Sequence, residues 1–202
     1  MHKGESEMAK YIIEKMLLNK DVVMVSEALS SGISKPVLYD TLKKANYEKV
    51  GHGVYASHYS IVDEMELLHR RCPNAIFSHD EALYYHQLID REPIRHTITV
   101  YSGYNTKRLS DDGIKVYTIK KELLGLGKIM VMNNMGNNVP MYNLERTVCD
   151  IVRSRSNFEI QDFQTALKTY LKRKDKNLNL LMEYAKPLRV DNIIRQYLEV
   201  LL

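Results

Sequence analysis

One stretch of the chain, residues 26–56, restricts the possible folds more than any other. Ser26 begins a short predicted helix, and Ser31-Gly32 ends it, because glycine readily adopts the backbone conformation that follows a helix end. A second predicted helix runs from Ser34 to about Asn46 with Pro36 in its first turn, where a missing N–H is tolerated. We expect the Ser34 side chain to cap this helix.

The second helix is amphipathic, and its two faces predict opposite environments. At helical spacing, one face should pack on a core; it carries Leu38, Thr41, Leu42 and Ala45. The opposite face is polar; it carries Pro36, Asp40 and Lys43, flanked by Lys35, Tyr39 and Lys44. The pattern therefore predicts a helix that is half buried and presents its polar side outward.

A glycine-rich hairpin follows this helix. Residues 47–56 contain two short alternating runs around Gly51-His52-Gly53, which is a hairpin signal. A helix over 5–18 and a short extended piece over 22–24 precede the helix pair. This order of elements predicts that residues 1–57 form a winged helix-turn-helix domain that binds duplex DNA.

The residues expected to touch DNA follow from that fold. The second helix of the pair would enter the major groove, with the hairpin as a wing beside the minor groove or the backbone. The expected contacts are Ser34, Lys35, Pro36, Tyr39, Lys43, Lys44, Lys49, His52 and Gly53. Asp40 is more readily explained by pairing with Lys44, four residues on, than by a contact to cytosine. Because residues 1–57 contain no arginine, phosphate contacts and DNA shape should carry more of the readout than bidentate base contacts.

Other interpretations of this region remain open. A helix unit with a hairpin can be a protein-interaction module that never meets DNA. Lys43 and Lys44 can be a solvated helix face, and Tyr55 can be core at the base of the wing. The net charge of +4 permits nucleic-acid binding without demanding it.

The remainder, residues 58–202, is predicted to be a second domain that is a small mixed α/β unit with a helical C-terminal tail. The chain as a whole is thus expected to be of the α+β class. Strands are predicted at 75–77, 96–101, 114–119, 128–132 and 139–142, and helices at 63–71, 78–88, 144–153, 160–173, 178–185 and 190–202. The helix at 78 should open with a capping box from Ser78 to Glu81.

Composition excludes several classes of function. No window approaches the roughly 18 apolar residues of a membrane span, and the N-terminus lacks a signal-peptide pattern, so we expect a cytoplasmic protein without a membrane partner. Cys72 and Cys149 are isolated, which argues against a disulfide framework and a zinc site. Without a P-loop, a dinucleotide fingerprint or a kinase motif set, we expect neither an enzyme nor a cofactor.

Three motifs, in order, resemble the AbiEi family of antitoxins from type IV AbiE abortive-infection toxin–antitoxin systems. The first motif runs from Ser26-Glu27-Ala28-Leu29 through Leu38-Tyr39 to Val50-Gly51-His52-Gly53-Val54-Tyr55; the others are residues 76–86, IFSHDEALYYH, and 142–150, YNLERTVCD. The resemblance spans nearly the whole chain. It implies an autorepressor that binds inverted repeats in its own operon promoter and counteracts a co-encoded nucleotidyltransferase-like toxin. It also implies that DNA binding belongs to the N-terminal part and antitoxin activity to residues 58–202. The alternative is a stand-alone winged-helix regulator with a ligand-sensing or assembly domain.

Several residues of the second domain are candidates for antitoxin activity. Glu145, Arg146 and Asp150 form either a polar network at a helix start or a surface for toxin neutralisation. Lys172, Arg173 and Lys174, with Lys168 and Lys176 nearby, form either a solvated helix end or a second electropositive surface. His79 and His86 could ligate a metal only with a third group that the sequence does not offer. Ser78-His79-Asp80 has the letters of a hydrolase triad, but triad members meet in space and not as neighbours along the chain.

Overall fold

The computed structural model describes residue 11, residues 21–58 and residues 60–201. The helix predicted over 5–18 falls, apart from Tyr11, outside the described residues. The chain divides into two compact units, Met1–Asp63 and Glu64–Leu202, so the division lies a few residues beyond the boundary predicted at residue 57. The predicted mixture of helices and sheets is confirmed, with a separate sheet in each unit.

Over residues 21–58, the first unit contains a three-stranded antiparallel sheet and two helices. Its elements are β1 (Val22–Met24), α1 (Val25–Ser30), α2 (Lys35–Lys44), β2 (Tyr47–Gly51) and β3 (Val54–Ser57). The strand order is β1-β3-β2, so β3 is central. Val23, Ala28 and Ile33 pack with Leu38 and Leu42 in one apolar core. These elements follow the order predicted from the sequence.

The turn between α1 and α2 depends on a glycine. Gly32 has a φ of +84°, a conformation that glycine adopts without steric cost. Its N–H donates to the carbonyl of Leu29, and that of Ile33 donates to the carbonyl of Ala28. Ser34 occupies the N-cap position of α2, but its side chain makes no capping hydrogen bond, so that prediction is wrong in its detail.

The second unit is built on a five-stranded mixed sheet of order β6-β5-β4-β8-β7. The strands are β4 (Ile76–Phe77), β5 (Thr97–Tyr101), β6 (Lys115–Ile119), β7 (Lys128–Met132) and β8 (Asn138–Tyr142). β5 and β6 are parallel, as are β4 and β8, whereas β4–β5 and β7–β8 are antiparallel.

The helices of this unit lie before, between and after the strands. They are α3 (Glu64–Arg71), α4 (Asp80–Tyr85), α5 (Lys107–Asp111), α6 (Leu144–Arg153), α7 (Ile160–Lys172), α8 (Leu178–Ala185) and α9 (Asp191–Leu201). Short 3-10 segments lie at Lys121–Leu123 and Arg155–Asn157. The helical tail α6–α9 forms one apolar core together with residues 83–89 and Ile119, and a second core lies between α3, α5 and the sheet. The sequence pattern missed α5.

The predicted capping box at the start of α4 is wrong. His79, not Ser78, is the N-cap residue, and its φ of 50° and ψ of −118° are strained for a residue with a side chain. Ser78 is fully buried, and its Oγ lies 2.8 Å from Thr99 Oγ1 and 2.9 Å from His79 Nδ1. The serine therefore joins β4 to β5 and does not cap the helix.

A buried arginine organises the start of the helical tail. Arg146 is fully buried, and its Nε donates to Asp150 Oδ2 at 3.0 Å. Its Nη1 donates to the carbonyls of Leu123 and Leu126, and the guanidinium lies 4.0 Å from the centre of the Tyr142 ring. One side chain thus ties α6 to the end of β8 and to the loop between β6 and β7. Removing one partner of such a buried pair typically costs about 3–5 kcal/mol.

Two neighbours of Arg146 extend this connection. The Asn143 side chain caps α6 by accepting from the Arg146 N–H at 3.0 Å. Glu145 Oε1 accepts from the Asn177 N–H at 2.9 Å and from the Tyr170 hydroxyl at 3.4 Å, which links α6 to α7 and to the start of α8. The sequence pair Arg146–Asp150 is confirmed as a helix-start network.

Gly127, in the loop between β6 and β7, lies directly against Arg146 and Asn143. Its φ is +75°, and an added Cβ would come within 2.5 Å of Arg146 Cβ and 3.1 Å of Asn143 Oδ1. Its carbonyl accepts from the Asn143 N–H at 2.8 Å. Both the backbone conformation and the space at this position therefore require glycine.

We expect Gly127→Ala to destabilise the second unit well beyond the cost of a left-handed backbone alone, which is about 1–2 kcal/mol. Gly103→Ala is the matched control, because Gly103 also has a positive φ, of +96°, but an alanine Cβ there would meet no atom within 4 Å. Urea denaturation of the two variants measures the difference. Equal losses of unfolding free energy would show that the contact with Arg146 is unimportant.

His96 joins α3 and α4 to the sheet through two carboxylates. Its Nδ1 lies 2.9 Å from Glu81 Oε2, and its Nε2 lies 3.3 Å from Glu64 Oε2. The hydrogen bond to Glu81 raises the pKa of His96, although burial opposes this effect. The protonated imidazole therefore stabilises the folded state.

Folding raises the pKa of His96. The protonated side chain therefore contributes fully to the free energy of unfolding at pH values below its unfolded-state pKa of about 6.5. This contribution is lost as the pH rises through the folded-state pKa. We expect His96→Gln to lose more unfolding free energy at about pH 5.5 than at about pH 8. Glu81→Gln should show the same pH dependence, since it removes the same pair from the other side. A loss that does not vary with pH would contradict this assignment.

Candidate nucleic-acid interface

The polar face of α2 lies on the outside of the first unit. Leu38 and Leu42 are buried beneath it, at 0% and 1% exposure, whereas Ala45, predicted on the same buried face, is exposed at the helix end. The residues predicted to contact DNA from this helix are all exposed; they are Ser34, Lys35, Pro36, Tyr39, Lys43 and Lys44. The amphipathic pattern has thus placed its polar side chains where a ligand can reach them.

The lysines on this face differ in their acidic neighbours. Lys44 Nζ lies 2.6 Å from Asp40 Oδ2, and both side chains are more than half exposed, so the predicted pairing is confirmed. In the part of the chain that the structure describes, Lys35 and Lys43 have no acidic group within 4.0 Å. Exposed pairs of this kind contribute roughly 0–1 kcal/mol, so Lys44 can leave Asp40 at little cost.

The hairpin of β2 and β3 presents the second set of predicted residues. Lys49 and His52 are exposed, and Gly53 forms the turn with a φ of +71°. The Gly53 carbonyl accepts from the Val25 N–H at 2.8 Å, which holds the turn against the start of α1. A register irregularity between Lys49 and Gly51 leaves Val50 45% exposed near the tip.

An open groove of about 740 Å³ runs between α2 and the hairpin. Its walls include Tyr39, Tyr47 and Tyr55, and the Tyr39 and Tyr55 ring centres are 5.9 Å apart. Burial, with a smaller effect from Asp21, raises the pKa of Tyr47. Tyr55 is half-buried and packs on the core of the unit, which agrees with its interpretation as a core residue.

The residues predicted as an antitoxin surface differ in their solvent exposure in the second unit. Glu145, Arg146 and Asp150 are 6%, 0% and 1% exposed, so they cannot present a surface to a partner. That prediction is wrong because their polar atoms are used inside the fold. Lys172 and Lys174 are exposed.

Arg173 is also used internally and does not contribute a free charge. Its Nη1 donates to the His86 carbonyl at 2.9 Å, and its Nε and Nη2 donate to the carboxylate of Asp175 at 2.8 and 2.7 Å. The basic cluster at the end of α7 is therefore less positive than its sequence suggests.

The two histidines considered as metal ligands lie at opposite ends of α4. His79 stacks on Tyr117 with ring centres 3.5 Å apart, and its burial lowers its pKa well below the ordinary value. His86 Nε2 lies 2.8 Å from the Tyr142 carbonyl. Among the described residues, no three His, Cys, Asp or Glu side chains are grouped as metal ligands would be.

Sequence reasoning missed the polar contacts around His79. Lys115 Nζ lies 2.8 Å from Asp80 Oδ2 and 5.5 Å from the centre of the Phe158 ring, while His79 Nε2 lies 3.3 Å from Ser154 Oγ. These contacts join residues far apart in the chain, so no local spacing of residues in the sequence predicts them. In the sequence, the adjacent residues Ser78-His79-Asp80 were the available signal. In the fold, these residues lie where β4 ends and α4 begins.

Comparisons with known proteins identify the fold class. No protein-family model matches the chain, and no curated protein sequence matches it. The crystal structure of the RV2827C protein from Mycobacterium tuberculosis is similar, with a TM-score of 0.61 over 88% of this chain and 71% of that chain. At 14% sequence identity this likeness shows the fold alone: a mixed α/β chain. Within the described ranges, no helix is both long and apolar enough to cross a membrane.

Proposed function

We propose that the first unit is a winged helix-turn-helix that binds duplex DNA, with α2 as the recognition helix and the β2–β3 hairpin as the wing. The observation that carries this proposal is the exposed polar face of α2 beside a hairpin turn that exposes Lys49 and His52. A B-DNA major groove, about 12 Å wide, admits a single helix. The wing would then lie along the backbone or the adjacent minor groove.

The position of each lysine suggests its role in this complex. Lys35 lies in the first turn of α2, which carries no acidic residue, so it can approach a base edge or a phosphate. Lys43 and Lys44 lie in the last turn and would meet phosphates. With no arginine in residues 1–57, binding should depend mainly on phosphate contacts and DNA shape, and therefore strongly on salt.

We expect Lys43→Ala to weaken binding to all duplexes similarly and to reduce the slope of log affinity against log salt by about 0.9. The reason is that Lys43 has no acidic partner among the described residues and would neutralise one phosphate. Gel-shift titrations over a salt series measure the slope. Lys186→Ala, an exposed lysine of the second unit, is the matched control and should leave the slope unchanged. An unchanged slope for Lys43→Ala would remove this residue from the interface.

We further propose that the protein represses its own operon and neutralises a co-encoded nucleotidyltransferase-like toxin. The support is the order of the three AbiEi-like motifs. The first spans α1, α2 and the hairpin, the second spans β4 and α4, and the third begins α6. Inverted repeats in the promoter would bring two copies of the protein onto one operator. Because Glu145, Arg146 and Asp150 are buried, neutralisation would use exposed residues of the second unit, such as Lys172 and Lys174.

Two assays with the same pair of double variants separate these roles. We expect Lys43→Ala/Lys44→Ala to abolish repression of a promoter–reporter fusion while still protecting cells from the neighbouring toxin gene. We expect Lys172→Ala/Lys174→Ala to retain repression and to weaken protection, since it changes only exposed charge in the other unit. A neighbouring gene that stays harmless after deletion of this one would contradict the antitoxin role and favour a stand-alone regulator.

A further inference from the structure

The turn that ends α8 contains an arginine where the backbone favours glycine. The Val190 N–H donates to the Ala185 carbonyl at 3.0 Å, and the Arg189 N–H donates to the Lys186 carbonyl at 3.0 Å. This pair of bonds is the Schellman pattern, in which the residue at the position of Arg189 adopts a left-handed conformation. The φ of Arg189 is accordingly 59°. Glycine or asparagine is the usual residue there, because other side chains crowd the backbone.

This turn projects Arg189 into the lining of a pocket with two further cations. The pocket has a volume of about 310 Å³. Lys120 and Arg153 line it with Arg189, and Glu122 is its one acidic lining residue; the apolar lining residues are Ile119, Leu123, Pro187 and Leu188. All of these residues belong to the second unit.

The cations of the pocket are poorly compensated. Within the described ranges, Lys120 and Arg189 have no carboxylate within 4.0 Å. Arg153 Nε is 3.9 Å from Asp150 Oδ1, and neither of these buried atoms has a hydrogen-bond partner. Asp150 already accepts from Arg146, so its charge is shared between two guanidinium groups.

We propose that this pocket binds the phosphate group of a small phosphate ester. The planar fork of an arginine matches phosphate oxygens, and three cations line one pocket together with apolar residues. The side chains of Lys120 and Arg189 are exposed, so a ligand can reach them. The volume is at the lower end of the range for small-molecule sites, which suits a phosphate with a compact ester group. Every lining residue belongs to the second unit, whereas the residues proposed to contact DNA belong to the first.

The test is a calorimetric titration of the full chain with inorganic phosphate and, separately, with adenosine monophosphate. We expect both to bind, and we expect Lys120→Gln and Arg189→Asn to weaken each by roughly tenfold, the usual effect of one lost charge-assisted bond. Arg189→Asn is chosen because asparagine tolerates a positive φ, so the turn is retained and the thermal midpoint should not fall. Arg195→Gln, an exposed arginine of α9 outside the pocket, is the matched control and should bind like the wild type.

Three outcomes would overturn the proposal. The first is that neither phosphate nor adenosine monophosphate binds at low salt. The second is that the Lys120→Gln/Arg189→Asn double variant, with its thermal midpoint retained, binds them as tightly as the wild type does. The third is that the double variant loses affinity for duplex DNA alone, which would make the cluster a nucleic-acid surface. Binding of inorganic phosphate but not of adenosine monophosphate, lost in the double variant, would support the phosphate site and exclude a nucleoside as its ester group.

Discussion

The second unit depends on the burial of one charged side chain, Arg146. A guanidinium loses its hydration on burial, and this loss is offset only when nearly every direction around it is occupied by an acceptor or an aromatic face. Asp150 accepts from its Nε, the carbonyls of Leu123 and Leu126 accept from its Nη1, and the Tyr142 ring covers one face, whereas its buried Nη2 has no hydrogen-bond partner among the described residues. Because these partners come from a helix, a strand end and a loop, satisfying the arginine determines where all three elements lie.

The same network positions the residues of the basic pocket. Lys120 and Glu122 lie at the start of the loop whose later carbonyls bind Arg146. Arg153 lies in the last turn of α6, the helix that carries Arg146 in its first turn. Asp150 stands between the two arginines and contacts both. Loss of the buried Arg146–Asp150 pair would therefore disturb both the fold and the pocket. Charge changes at Lys120 and Arg189 would alter the pocket and leave that buried pair in place.

In the first unit, the candidate function depends on exposed side chains and not on a buried charge. The apolar residues of α2 hold the helix in place, while its lysines project outward. Among the described residues, the weak Asp40–Lys44 pair is the one ion pair that engages a lysine of this helix. The Gly53 carbonyl accepts from the Val25 N–H, which ties the hairpin turn to the start of α1 and places the exposed Lys49 and His52 beside that helix.

Elements whose cause is local could be predicted from the amino-acid sequence. Helical periodicity predicted α2 and the whole helical tail, the glycine pattern predicted the hairpin, and the four-residue spacings of Asp40–Lys44 and Arg146–Asp150 predicted both ion pairs. These features are local because their partners lie within one or two helical turns or across one tight hairpin.

Which of these residues are buried, and what they meet, depends on the tertiary fold. Nothing at Arg146 itself reveals that carbonyls 20 and 23 positions away accept its protons, so the sequence also allowed a surface position for this residue. The strained junction at His79, the parallel pairing of β5 with β6, and the meeting of Lys120, Arg153 and Arg189 likewise depend on contacts between distant parts of the chain. The physical reason is that local propensity acts over a few residues, whereas burial and charge compensation are set by whichever distant elements the fold brings together.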